Sequence, residues 1–82
     1  MKGSTKISEA TIIKRVSKGD HLAFRQIFNQ HKDAIFGYSY KLTKSSILAE
    51  ETVQEVFLKI WQNREKLDTA YPIKPYLYKI AR

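Results

Sequence analysis

Apolar positions recur three and four residues apart along this chain, and apolar and polar residues nowhere alternate over the length a strand needs, so the pattern predicts helices throughout. The first runs from about Ser8, a side chain able to cap it, to Lys18, with Ile12, Ile13 and Val16 as its apolar positions. Gly19 then stands where the residue after a helix favours a left-handed backbone. Asp20 caps a second helix from about His21 to Leu42, where Phe24, Ile27, Phe28, His31, Ile35, Tyr38 and Leu42 share one stripe and Phe36 and Tyr40 a smaller one. Thr43-Lys44-Ser45 is a short link, and Ser45 or Ser46 caps a third helix that fades near Arg64 to Lys66. Leu67 to Pro72 reads as a loop. Pro72 and Pro75 fit the start of a fourth helix, because first-turn amides have no intrahelical partner to lose. The expected fold class is all-α, a compact bundle of four helices over residues 8–82, with residues 1–7 a flexible tail. The fourth helix keeps its period to Arg82 without a glycine or proline to stop it, so we expect it to be truncated and the chain to be a fragment.

The third helix is the most informative element, because it has two distinct faces. At roughly 100° per residue, with Glu51 at zero, Ala49, Val53, Val56, Phe57 and Ile60 lie within about 60° of the opposite pole, with Trp61 at their edge. That is a stripe for burial. Glu51, Gln54, Glu55, Leu58 and Gln62 lie within about 60° of zero. A face that only meets water more often mixes Glu with Lys one turn apart. Here Glu51 and Glu55 are like charges one turn apart, which costs a few tenths of a kcal/mol in a free helix, roughly 0.2–0.5. A basic partner would reverse the sign. Leu58, a large apolar residue ringed by carboxylates and amides, has the form of a small hot spot with a polar rim.

Charge sharpens this picture. The net charge is +7, yet residues 45–65 sum to −2, which leaves +9 for the remainder. After Asp68 no acidic residue occurs, while Lys74, Lys79 and Arg82 fall among Tyr71, Tyr76 and Tyr78. An acidic central helix between basic segments points to two partners, a basic protein surface and phosphate. The tyrosine–lysine alternation serves two readings equally, a roof over the core or a surface that stacks bases and follows the backbone of single-stranded nucleic acid.

Other chemistry is poorly supplied. Cysteine is absent, which removes disulfide, thiolate–metal and thiol-nucleophile chemistry and makes a reducing cytoplasm the default. His21 and His31 are too far apart to form a helical metal pair. We expect no metal, no cofactor and no catalytic residue, since Glu50, Glu51 and Glu55 have neither a histidine nor a cleft to work with. His31 lies on an apolar stripe and reads as a hydrogen-bonded core or boundary histidine. No run of about 18 apolar residues is present, and Met1 to Thr5 lacks the apolar middle of a signal peptide, so no membrane is expected.

Several pieces in order resemble the second conserved region of bacterial sigma factors of the extracytoplasmic-function type. They are Gly19-Asp20 with Ala23-Phe24, then Leu42-Thr43, then Ala49-Glu50-Glu51-x-x-Gln54-Glu55-Val56-Phe57-Leu58-Lys59-Ile60-Trp61, and finally Tyr76-Leu77-Tyr78-Lys79-Ile80-Ala81-Arg82. Glu51 stands where the family usually has Asp, Thr52 where an aliphatic residue is common, and Tyr76 at the usual tryptophan. The resemblance implies a domain that docks on core RNA polymerase and recognises and melts the minus-ten promoter element. It implies that Glu51, Gln54 and Glu55, with Leu58 and Trp61 as neighbours, meet a basic coiled coil of the largest polymerase subunit. By position it implicates Asn63 and Leu67 through Tyr71 in capturing a base flipped from the non-template strand, with Lys74, Lys79 and Arg82 near phosphates. It further implies an anti-sigma protein as a competing partner, catalysis left to the polymerase, and a following helix-turn-helix domain that this chain lacks. The alternatives are a helical regulator of double-stranded DNA, for which no clear recognition helix-turn-helix is found, and a purely protein-binding adaptor.

Overall fold

The computed structural model describes residues 8–82, so the tail expected over residues 1–7 lies outside the described residues. Four helices follow in order: α1 (Glu9–Ser17), α2 (His21–Thr43), α3 (Ser46–Gln62) and α4 (Ile73–Ala81), with a 3-10 turn at Arg64–Lys66 between the last two. The all-α bundle is as the periodicity predicted, and every boundary falls within a few residues of its expected place.

The caps explain where the helices start and stop. The Ser8 hydroxyl accepts from the Thr11 amide at 3.3 Å. Gly19, at φ +90°, takes the chain out of α1, and its amide donates to the Val16 carbonyl at 2.9 Å. One carboxylate oxygen of Asp20 accepts from the Leu22 and Ala23 amides at 3.0 and 3.2 Å. Ser45 is the cap of α3, accepting from the Leu48 amide at 3.2 Å. The link before it is more than a spacer. Lys44 is left-handed at φ 57°, an unusual state for a residue with a Cβ. Thr43 fixes this corner, its hydroxyl donating to the Ser39 carbonyl at 3.0 Å and accepting from the Ser45 amide at 3.2 Å.

The core gathers Ile12, Ile13 and Val16 of α1, Ala23, Ile27 and Ile35 of α2, Val53, Val56, Phe57 and Ile60 of α3, and Ile73 and Leu77 of α4. Phe28 meets Phe57 edge to face at 5.0 Å between ring centroids and so pins α2 to α3. Two expectations for α2 need correction. Leu42 is 63% exposed, and Ser39 is buried in the line that continues from Ile35. Ser39 lies one turn beyond Ile35 on the packed side of α2, whereas Leu42 stands at the solvent end of the helix. The Phe36–Tyr40 stripe splits as well: the rings stack at 6.2 Å, Phe36 packs on the core and Tyr40 faces solvent.

A Cβ at residue 19 would meet nothing closer than Arg64 Nε at 3.9 Å, so the cost of adding one lies in the backbone. We expect Gly19→Ala to lower stability by about 1–2 kcal/mol, read as a lower urea midpoint at unchanged slope.

Candidate functional site

The outward face of α3 follows from what its other face buries. With Ala49, Val53, Val56, Phe57 and Ile60 turned into the protein, Glu51, Gln54, Glu55, Leu58 and Gln62 all stand in solvent, and Leu58 is 54% exposed. The stripe extends further toward the N-terminus than the sequence reading placed it. Ile47 is 69% and Leu48 48% exposed, and both lie on the Glu51 side of the helix. Their signal was available: Ile47 precedes Leu58 by eleven residues, three turns of one face. The acid–amide cluster therefore has a large apolar residue at each end. Beside it, Gln54 borders a shallow groove of about 230 Å³ between α2 and α3, with Phe28, Asp33, Phe36 and Glu50 among its walls.

Trp61 does not join this stripe. Its ring lies 4.7 Å from that of His21 and 5.1 Å from that of Phe24, and the Arg64 guanidinium sits over it at 4.4 Å. The same guanidinium donates to the Trp61 carbonyl at 3.0 Å. The half-buried indole thus joins the start of α2 to the end of α3, and its cation contact holds the turn that follows.

The second region is the segment after that turn. Asn63 turns away from it, with its side-chain amide donating back to the Lys59 carbonyl at 3.0 Å. Asp68 shapes the loop by accepting from the Ala70 amide at 2.8 Å, the local bond that Asp favours in turns. A cleft of about 260 Å³ opens here, walled by Ile13, Lys66, Leu67, Asp68, Tyr71, Pro72, Ile73 and Tyr76. Leu67 and Tyr71 are brought together as expected, and Asn63 is not among the cleft residues. The contributions of Lys66 and of Ile13 from α1 were missed, the latter because no local signal ties residue 13 to residue 71. The tyrosines divide between the two readings. Tyr78 packs edge-on against Tyr38 at 5.0 Å as part of the roof, while Tyr71 and Tyr76 remain exposed at the cleft. On α4, Lys79 and Arg82 share the side opposite Ile73 and Leu77, and Lys74 lies at its edge; all three are exposed.

The root of α4 is held from α1. A carboxylate oxygen of Glu9 accepts from the Ile73 amide at 2.9 Å, across 64 residues of sequence. Nearby, His31 is half-buried and its Nε2 has no hydrogen-bond partner, so the hydrogen-bonded histidine expected from the sequence is a boundary histidine with one ring nitrogen unsatisfied. Burial lowers its pKa; Glu9 opposes that shift and Lys74 adds to it.

Residues 27–82 match the family described as Sigma-70 region 2. The chain is similar to the protein described as ECF RNA polymerase sigma factor SigL of Mycobacterium tuberculosis, 36% identical over 59 residues that cover 71% of this chain and 33% of that protein. It is also similar to ECF RNA polymerase sigma factor SigK of Mycobacterium bovis, 29% identical over 59 residues, covering 72% of this chain and 32% of the relative. The chain thus spans about a third of the length of these curated relatives.

A lowered histidine pKa has a defined effect on stability. The unfolded chain protonates His31 near the ordinary value of 6.5, and the folded chain only at lower pH. The unfolded state therefore binds more protons as pH falls, and stability present above 6.5 is lost on acidification through the folded value. We expect the urea midpoint to drop between about pH 7 and about pH 5, and His31→Gln to flatten that part of the profile.

Proposed function

The chain belongs to the Sigma-70 region 2 family, and from that membership we propose that it is the transcription-initiation domain of an ECF-type sigma factor, docking on core RNA polymerase and engaging the minus-ten promoter element. The observation that carries the docking half is the outward face of α3. Glu51 and Glu55 are exposed one turn apart with Gln54 between them, and Ile47, Leu48 and Leu58 offer apolar area at either end. A basic coiled coil on the polymerase's largest subunit would relieve the like-charge pair and cover the leucines together. The acidic stripe also suits polymerase better than DNA, because phosphate would be repelled there. Trp61 serves this interface by bracing the end of α3.

The promoter half rests on the cleft beside α4. Tyr71 and Tyr76 offer aromatic faces, Leu67 and Ile13 an apolar wall, and Lys66 and Asp68 polar groups at the rim. A base can enter such a site only after it leaves the duplex stack. The cleft would bind opened non-template strand better than duplex, and that differential affinity is what shifts the DNA toward the melted state. Lys74, Lys79 and Arg82 would follow the backbone of the captured strand. Catalysis stays with the polymerase; this domain supplies recruitment and strand selection. It would act where the polymerase acts, in the cytoplasm, and among the described residues no helix is long and apolar enough to cross a membrane. An anti-sigma protein that covered the α3 stripe would exclude polymerase from it.

The test is a titration of core polymerase with the chain and with a Glu51→Lys, Glu55→Lys variant whose helicity is checked by circular dichroism. We expect the variant to stay folded and to bind at least about tenfold more weakly, with Leu58→Ala giving a smaller loss. Equal binding by the folded variant would remove the α3 face from the interface.

A further inference from the structure

The match to the family covers residues 27–82 and leaves α1 without an assigned part. We propose that α1 is a working element of the base cleft and that Glu9 is its positioning residue, latching the α4 wall in place across from Ile13. This inference rests on reading the cleft as the site for an unstacked nucleobase.

The need for a latch comes from the start of α4. Its N-cap is Pro72, which makes no side-chain cap bond. Pro75, two residues into the helix, removes one amide from the first turn but leaves those of Ile73 and Lys74 without partners in the helix. A bare start of this kind frays unless an acceptor is brought to it. Glu9 brings one from another helix: its carboxylate accepts from the Ile73 amide at 2.9 Å and places a negative charge at the positive end of the α4 dipole.

The position of this bond matters because of what flanks it. Pro72 and Ile73 belong to the cleft wall, and Tyr76 projects from the next part of α4. Ile13, one turn beyond Glu9 on α1, is the wall opposite. One helix therefore supplies one side of the cleft and also, through Glu9, fixes the first amide of the other, beside the buried Ile73 side chain. The loop from Leu67 to Pro72 is held at its first residue by a Leu67–Arg64 backbone bond of 3.3 Å and by Leu67 packing on the core, and further along by the Asp68–Ala70 bond and a Tyr71–Asp68 backbone bond of 3.3 Å, so its C-terminal anchor is the α4 start. Freed from Glu9, that anchor would let Tyr71 and Tyr76 separate from Ile13, and a base would have to order them as it bound.

The experiment compares the parent with Glu9→Ala, Glu9→Asp and Glu9→Gln. Glu9→Asp keeps the charge near His31 and Lys74 but shortens the reach by one methylene. Glu9→Gln keeps the reach and an acceptor oxygen. The probe is a fluorescein-labelled pool of short single-stranded DNA of randomised sequence at fixed salt, and the second readout is exchange of the Ile73 amide by NMR. We expect Glu9→Ala and Glu9→Asp to bind the pool about tenfold more weakly and to exchange Ile73 faster, as loss of one charge-assisted hydrogen bond implies. Glu9→Gln, which keeps the acceptor without the charge, should fall between Glu9→Ala and the parent in both readouts, and all four proteins should bind core polymerase alike. Parent binding matched by folded Glu9→Ala and Glu9→Asp would overturn the latch while leaving the cleft as the base site. If the parent bound no single strand, the cleft reading would fall, and the role of Glu9 with it.

Discussion

Everything on the surface of this domain depends on how α3 is seated. Ala49, Val53, Val56, Phe57 and Ile60 are buried along one side of a single regular helix, and Phe28 locks edge-on against Phe57 from α2. A helix is rigid in rotation, so burying that side leaves no freedom over what the other side presents. The spacing of Glu51, Gln54, Glu55 and Leu58 is then a property of the core as much as of the surface. A change that rotated α3 by one residue, about 100°, would scatter the stripe while leaving every side chain in the sequence unchanged. Corner residues guard against that rotation. Ser45 caps the helix, Thr43 bonds on both sides of the turn, and Lys44 accepts a left-handed backbone to make the turn tight.

Local order was legible because its causes are local. Ser8, Asp20 and Ser45 are caps whose partners lie two or three residues away, and Gly19 is a backbone requirement that one residue type meets cheaply. The two faces of α3 were legible for the same reason, since periodicity is written in neighbouring residues. The errors fall where a residue's fate depends on a distant partner. Leu42 belongs to the stripe of α2 by spacing, yet it is exposed, because the spacing of residues 21–43 does not say which part of the stripe another helix covers. Buried polar atoms are usually satisfied, yet the Nε2 of His31 is not. Asn63 is the exception: its partner, the Lys59 carbonyl, lies only four residues back, and its side chain closes the end of α3 while the cleft is lined by others.

The cleft is the clearest case of information the sequence does not display. Its loop could be named from the residues, and so could Tyr71 and Leu67. Ile13 and Glu9 could not, because they meet residues 71–76 only after α1 has packed on α2. Two opposite demands meet in this small chain. The α3 face must be set by a dense core, while the α4 side must leave a concavity that a core would ordinarily fill. The structure joins them by turning Ile73 and Leu77 of α4 into the shared core and adding the Glu9–Ile73 hydrogen bond at the helix start, so the recess opens beside the packing that orients α3.

The seating of Trp61 gives the molecule an optical consequence. It is the chain's single tryptophan, and it stands where α2, α3 and the turn toward the loop meet, with His21 beside it and a guanidinium over its ring. All indole emission from this protein therefore originates at the joint between its acidic helix and its basic segment. A partner that tilted either one against the other would alter the stacking around that ring and change the colour or yield of its light, while one that bound without moving the joint would leave the spectrum silent. The domain carries its own strain gauge, placed by packing at the point where its two surfaces are mechanically connected.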